Sequence, residues 1–311
     1  MGRIGDTDLE VRRFVLGGNV FGWTADKDAS FAVLDAYHEA GGNAVDSADA
    51  YSAWVDGNSG GESETIIGEW VRARGNRDDI VIATKAGAHP RFRGLKADTV
   101  KRAAEASLRR LGTDRIDLYY AHFDDPETPV AETLGALDEL VREGKVRHIG
   151  ASNFTPARLA ESLAHSEEAG IARYSVFQPH YNLVSRDAYE GELADAVKTG
   201  GLAALPYYAL ASGFLTGKYR PGQTVDSARA AKAAEYLASE RGQKVLTALD
   251  RVAADQNAEV ATVALAWLAA QPTVAAPIAS ARTVAQLGPL LAIDDVRLTA
   301  EQVAVLNDAS A

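Results

Sequence analysis

The chain has 311 residues, 47% of them hydrophobic and 24% charged, the balance of an ordinary globular protein rather than a disordered or fibrous one. Its formal net charge of −11 excludes a nucleic-acid backbone as the main partner, because such binding needs a concentrated basic surface. With no cysteine, disulfides and thiolate metal sites are excluded, and a reducing compartment is the natural setting.

The N-terminal MGRIGDTDLEVRR carries closely spaced charges and lacks a signal peptide's apolar stretch. No segment approaches the roughly 20 apolar residues of a membrane span. The expectation is a cytoplasmic protein without a membrane partner.

In chain order, a polar start over about residues 3–13 predicts a hairpin. Strand-length apolar runs follow: FVLGG at 14–18, NAVDS at 43–47, IVIATK at 80–85, DLYYAH at 117–122, HIGAS at 148–152, YSVFQ at 174–178, LAALPY at 202–207 and TVAAPI at 273–278. Between them lie amphipathic stretches such as SFAVLDAYHEA, TVKRAAEASLRRL and VAETLGALDELVREG, with apolar positions at helical spacing. Gly41, Gly75, Gly112, Gly144 and Gly170 stand where such helices end. Residues 208–240 form a long connection of the kind that is usually functional. Two helical stretches, GQKVLTALDRVAADQN and EVATVALAWLAAQ, precede the last strand. Eight β-then-α units with continuous apolar strands predict a parallel sheet covered by helices, closed as a (β/α)8 TIM barrel in one domain over 1–311.

Barrels of this kind carry their functional groups at the carboxyl ends of the strands. Those positions hold Asp46 with Tyr51 in the following loop, then Lys85, His122, Ser152 with Asn153, Gln178 and Tyr207, spaced 26 to 39 residues apart. Taken singly, the Asp reads as a cap, the Lys as a solvated edge charge, the His as a structural group, and Ser-Asn before Phe-Thr-Pro as an ordinary helix start. Their shared position at successive strand ends predicts convergence on one rim.

The motifs VDSADAYS (45–52), GGESETIIGEW (60–70), RDDIVIATKAG (77–87), RIDLYYAHFDD (115–125), IGASNF (149–154), FQPHYN (177–182) and ASGFLTGKY (211–219), in this order and spacing, resemble the aldo-keto reductase superfamily over essentially the whole chain. The resemblance implies a catalytic quartet on Asp46, Tyr51, Lys85 and His122. Tyr51 would give a proton to a carbonyl oxygen. A phenol with an ordinary pKa of about 10 is a weak acid, so Lys85 would ease its ionisation, Asp46 would keep Lys85 charged, and His122 would donate a hydrogen bond to the substrate.

The resemblance also implies NADP(H), with NAD(H) left open. Gly18, Asn19 and Asp46 would contact the cofactor, Ser152, Asn153 and Gln178 its carboxamide, and Tyr207 the nicotinamide ring face. Leu210, Ser212, Gly213 and Lys218 would hold the pyrophosphate, and Ser280, Arg282 and Gln286 the adenosine end, with Arg282 favouring the 2′-phosphate. The sequence departs from the family pattern at Ser280, where Gly is frequent, at Leu290 beside Pro289, where Asn is usual, and at Tyr208–Ala209, where Ser and Pro are common.

Trp23, Trp54 and Phe123 are expected to line the pocket for a small carbonyl substrate, although the two tryptophans read equally well as loop-to-barrel packing. Three other functions compete with a reductase. One is a cofactor-binding regulatory subunit with slow catalysis. Another is a lyase using Lys85 as a Schiff-base nucleophile, which Asp46 disfavours by keeping the amine protonated. A metal-dependent hydrolase is disfavoured by six scattered histidines.

Overall fold

The computed structural model describes residues 1–311. Its central sheet contains β1 (Val15–Gly17), β2 (Ala44–Asp46), β3 (Val81–Ala86), β4 (Ile116–Ala121), β5 (Val146–Ser152), β6 (Tyr174–Gln178), β7 (Ala203–Ala204) and β8 (Ile278–Ala279). Each strand pairs in parallel with its neighbour in sequence, and β8 returns to β1 with Ile278 opposite Val15. The seam between β7 and β8 is closed by a parallel bridge from Ala204 to Val274 and by the Ala275 N–H donating to the Ala204 carbonyl at 2.9 Å. The sheet is therefore a closed (β/α)8 barrel.

Side chains alternate between two cores, as the two-residue period of a strand requires. Val15, Ala44, Ala83, Leu118, Tyr120 and Val176 fill the barrel, whereas Leu16, Val45, Ile82, Tyr119, Ile149 and Phe177 pack outward against the helices. Gly150 on β5 makes room for one of the interior rings. A Cβ there would lie 2.6 Å from the Tyr120 ring and 2.9 Å from the Val176 carbonyl.

The predicted N-terminal hairpin pairs Gly2–Arg3 with Glu10–Val11, and its Ile4, Leu9 and Val11 join the interior core. Gly5 of the hairpin lies against Ala203, where β7 begins, so the hairpin plugs the amino end of the barrel. The carboxyl ends remain open for a ligand.

All five helix-ending glycines adopt positive φ, from 63° to 82°. The connection over 208–240 is structured: it forms a 3-10 turn over Ala211–Thr216 and a helix over Ala230–Ala238. The two helical stretches before the last strand become Glu240–Gln256 and Val260–Ala269. A final helix, Ala300–Ala309, begins with a capping box between Thr299 and Gln302. No helix is long and apolar enough to cross a membrane.

Candidate active site

Asp46 ends β2, and Lys85 stands one residue before the end of the adjacent β3. Both side chains are almost wholly buried. The Lys85 ammonium donates to Asp46 Oδ1 at 2.6 Å, to the Ser47 carbonyl at 2.6 Å and to the Tyr51 phenol oxygen at 3.1 Å. Gln178, at the end of β6, donates to the other oxygen of Asp46 at 2.9 Å. All three donor positions of the ammonium and both oxygens of the carboxylate are thus engaged, which is what a charged pair removed from water requires.

Tyr51 is carried by the turn after β2, which is tied down on both sides. Ser52 has φ +69° and its hydroxyl donates to the Phe21 carbonyl at 2.9 Å, while the Gly61 N–H donates to the Tyr51 carbonyl at 3.3 Å. The phenol accepts from Lys85 and has no acceptor in the protein for its own proton. That proton is available to an oxygen in the cavity.

The electrostatics differ from the expectation that Lys85 lowers the phenol's pKa outright. Burial raises the Tyr51 pKa, Lys85 opposes that rise, Asp46 reinforces it, and the balance lies above the ordinary tyrosine value. Burial also acts to lower the Lys85 pKa, but Asp46 and then Tyr51 outweigh it, leaving the ammonium more firmly charged than a free lysine.

His122 follows β4, anchored by its N–H donating to the Ala86 carbonyl at 2.9 Å. Its ring centre lies 6.2 Å from that of Tyr51, and it stacks on Phe123 at 4.7 Å. Burial, and secondarily the ammonium of Lys85, holds its pKa well below the usual imidazole value. The ring is therefore neutral. Its Nδ1 is buried without a partner, so a proton carried on Nε2 is the arrangement that can serve a ligand.

Ser152 donates to the Gln178 carbonyl at 2.8 Å, and Asn153 donates to the His122 carbonyl at 2.8 Å. Asn153 has φ +57° and accepts from the Tyr207 hydroxyl at 2.7 Å. The following helix is capped instead by Thr155, with Pro156 in its first turn, so the ordinary helix-start role does not fall to Ser152 or Asn153. Tyr207 stacks on His180 at 5.5 Å, and burial lifts its pKa to about 12.

These groups border a cavity of about 1180 Å³ at the open end of the barrel. From Tyr51 and His122 it passes Ser152, Asn153, Gln178 and Tyr207 to Leu210, Ser212, Gly213 and Lys218, and then to Ser280, Arg282 and Gln286. Ala211, Ser212 and Gly213 are consecutive residues at positive φ, as is nearby Tyr208. Left-handed conformations at non-glycine residues are costly and concentrate where a ligand is held. Lys218 lies over the Tyr219 ring, and the Arg282 N–H donates to Gln286 Oε1 at 3.0 Å. Ser280 donates to Asn19 at 2.6 Å, linking the residues that follow the paired strands β8 and β1.

Residues 13–311 match the sequence profile of the aldo/keto reductase family. The chain belongs to the aldo/keto reductase family. It is 34% identical to an uncharacterized oxidoreductase, YrpG, of Bacillus subtilis (strain 168), across 98% of this chain and 94% of the relative. An NADP(+) aryl-alcohol dehydrogenase of Phanerodontia chrysosporium is 31% identical across 92% of this chain and 77% of its own length. A probable voltage-gated potassium channel subunit beta of Oryza sativa subsp. japonica is 32% identical across 89% and 86%. The family and its oxidoreductase members support carbonyl reduction as the general chemistry, with a small molecule as substrate.

In this aldo/keto reductase, the predicted site residues converge on the cavity with two exceptions. Lys85 stands behind its wall, and Gly17 rather than Gly18 borders it. Gly18 instead donates its N–H to the Asp46 carbonyl at 2.7 Å, and a Cβ there would lie 2.8 Å from the Ser63 hydroxyl. Trp23, Trp54 and Phe123 all border the cavity, and Trp54 and Phe123 are about half exposed. Leu290 and Pro289, on the same helix as Gln286, also border it. Among the other lining residues, Pro90, Tyr208 and Arg229 were not singled out for binding by the sequence. Pro90 sits in a small hairpin, Ala88–His89 with Phe92–Arg93, whose only sequence signal is the His-Pro-Arg turn.

Proposed function

We propose that this aldo/keto reductase reduces aldehydes or ketones to alcohols with NADPH, and that Tyr51 is the general acid. The observation that carries the reading is the position of the Lys85 ammonium, 2.6 Å from Asp46 and 3.1 Å from the Tyr51 phenol. A lone buried tyrosine holds its proton too tightly to be useful. One with a fixed ammonium against its oxygen has a stabilised conjugate base.

The volume of the cavity, about 1180 Å³, and the chemistry of its wall support a dinucleotide as its ligand. The cavity runs from Tyr51 to two cations, Lys218 and Arg282, beside the left-handed turn at Ala211–Gly213. Lys218 and the backbone of that turn would hold a pyrophosphate, and Arg282 a 2′-phosphate, which favours NADPH over NADH. Ser152, Asn153 and Gln178 would present polar groups to a carboxamide, and Tyr207 a ring face. The reduced nicotinamide supplies hydride when bound.

The protein's own groups manage the oxygen. His122, neutral, donates one hydrogen bond to the carbonyl and fixes its direction. Tyr51 donates the proton as negative charge builds on that oxygen, and Lys85 stabilises the phenolate left behind. Asp46 orients Lys85 and keeps it charged, and the same restraint counts against Lys85 as a Schiff-base nucleophile. A cytoplasmic setting suits a chain without cysteine.

The rice channel-subunit relative favours a second reading, a cofactor-binding regulatory subunit. One experiment separates the two. Fluorescence titration with NADPH and NADH is followed by absorbance assays with 4-nitrobenzaldehyde and a panel of ketones. The reductase reading expects tighter binding of NADPH and its oxidation at many turnovers; tight binding without turnover across the panel supports the regulatory reading instead.

A further inference from the structure

The first turn of the helix Glu62–Arg74 binds the segments that carry the catalytic groups. Glu64 in that turn is fully buried, as is Thr84 on β3. The Thr84 hydroxyl donates to Glu64 Oε1 at 2.5 Å, and Arg110, from the helix Ala97–Leu111, donates to Oε2 at 2.6 Å. Asp49 is near enough for Glu64 to raise its pKa, so one guanidinium serves two buried carboxyl groups. A buried ion pair adds little net stability over apolar packing of the same shape, and a second carboxyl beside it makes the arrangement costlier. Stability alone does not account for Glu64.

Glu64 closes a ring of contacts around Lys85. The Lys85 ammonium donates to the Ser47 carbonyl at 2.6 Å, and the Ser47 hydroxyl donates to that of Ser63 at 2.8 Å. Ser63 precedes Glu64, and Glu64 binds Thr84, the residue before Lys85. Successive side chains of a strand point to opposite faces, so Thr84 meets the helix on the outside of β3 while Lys85 reaches Asp46 on the inside. The Tyr51 carbonyl accepts from the N–H of Gly61, which immediately precedes the same helix, and a Cβ at Gly61 would run into the Arg110 guanidinium. The turn bearing the phenol and the strand bearing the ammonium are thus both fixed to one helical turn. Glu64 joins the two.

We propose that Glu64 is a positioning residue for proton transfer: by binding Thr84 on β3 and Arg110 against Gly61, it sets the Lys85 ammonium at its distance from the Tyr51 phenol. This rests on the reading of Tyr51 as the general acid. Glu64 does not border the cavity, so it acts through these contacts and not on a ligand. A displacement of about 1 Å between reacting groups, caused far from the chemistry, costs up to ~10²-fold in rate.

The test contrasts Thr84→Val, which keeps the side chain's shape and removes the hydroxyl, with Thr84→Ser, which keeps the hydroxyl and removes a methyl group. Thr84→Val is expected to lower kcat for 4-nitrobenzaldehyde by roughly tenfold with NADPH Kd within about twofold of the wild type, and Thr84→Ser to stay within about twofold in both. Equal losses in the two variants, a larger loss in Thr84→Ser, no loss in Thr84→Val or a loss confined to NADPH Kd overturns the assignment. Glu64→Gln is then read in single turnover with and without Tyr51→Phe. It should cost roughly tenfold alone and less than about twofold beside Tyr51→Phe, where no phenol proton remains to be placed; an equal loss in both backgrounds overturns the assignment. If the wild type reduces no carbonyl compound, the reductase reading fails separately. Hydrogen exchange then decides: faster exchange of the Asp49 and Tyr51 amides in Thr84→Val than in Thr84→Ser supports the positioning role, and equal rates overturn it.

Discussion

The ammonium of Lys85 stands 3.1 Å from the phenol oxygen of Tyr51, and burial still holds that phenol's pKa above the ordinary tyrosine value. Lys85 thus serves mainly to accept the phenolate once the proton has left. In the resting site Tyr51 is fully protonated at neutral pH, ready to donate rather than already ionised.

A pH profile follows from this. Tyr51 is active when protonated and its pKa is raised, so reduction should fall only as pH rises above about 10, the ordinary tyrosine value. His122 is already neutral because its pKa is depressed, so no acid limb should appear near the usual imidazole value of about 6.5. Steady-state kcat for 4-nitrobenzaldehyde between pH 5 and 11 checks both limbs. A decline centred near pH 7 would contradict them.

Lys85→Met should cost stability as well as activity. It leaves Asp46 buried with only Gln178 as a partner, at a cost of about 3–5 kcal/mol. Because the folded pKa of Lys85 is raised, its contribution is fully present below the unfolded value of 10.5 and is lost as pH rises through the folded value. Urea unfolding of Lys85→Met, Asp46→Asn and the double variant should show the double losing less than the sum of the singles.

Asp49 presents the opposite case. It is fully buried beside Glu64, and neither carboxylate oxygen meets a donor in good hydrogen-bond geometry, so the Ala50 amide relieves it only weakly. Burial, and then Glu64, raises its pKa well above 3.8. The folded state therefore favours the protonated form, and a penalty grows as pH rises from the unfolded pKa toward the folded one. Asp49→Asn is expected to raise Tm at pH 7 by a few degrees, about 1–3 kcal/mol. The gain should vanish near pH 4, and thermal melts at the two pH values measure the difference.

Arg282→Leu should separate the two cofactors. Loss of a charge-assisted contact to the 2′-phosphate is expected to raise KM for NADPH by roughly tenfold or more while changing KM for NADH by about twofold or less. An equal rise for both would place Arg282 on a group common to them.

The barrel was legible in the sequence because parallel strands covered by helices read as continuous apolar runs, and YSVFQ matches β6 residue for residue. The seam was less so. LAALPY shrinks to a two-residue strand at Ala203–Ala204 and TVAAPI shifts to one at Ile278–Ala279 that begins at its last residue, since Pro206 and Pro277 have no N–H to extend the ladder. Strand-end polar residues revealed the centre of the site, as each falls at a fixed place in a βα unit. Asp49 was not legible as important. What distinguishes it, a buried carboxylate without donors beside Glu64, comes from packing between separate segments.

Tyr51→Phe is the most direct test of the proton-donor assignment, because it removes the acidic hydroxyl and leaves the ring against Trp54 and His122. NADPH binding is measured by fluorescence titration, and turnover of 4-nitrobenzaldehyde by NADPH absorbance on the same preparation. The expected result is an NADPH Kd within about twofold of the wild type and a kcat lower by roughly 10²–10⁴-fold, the usual contribution of general acid catalysis. Wild-type kcat in that variant would contradict the assignment.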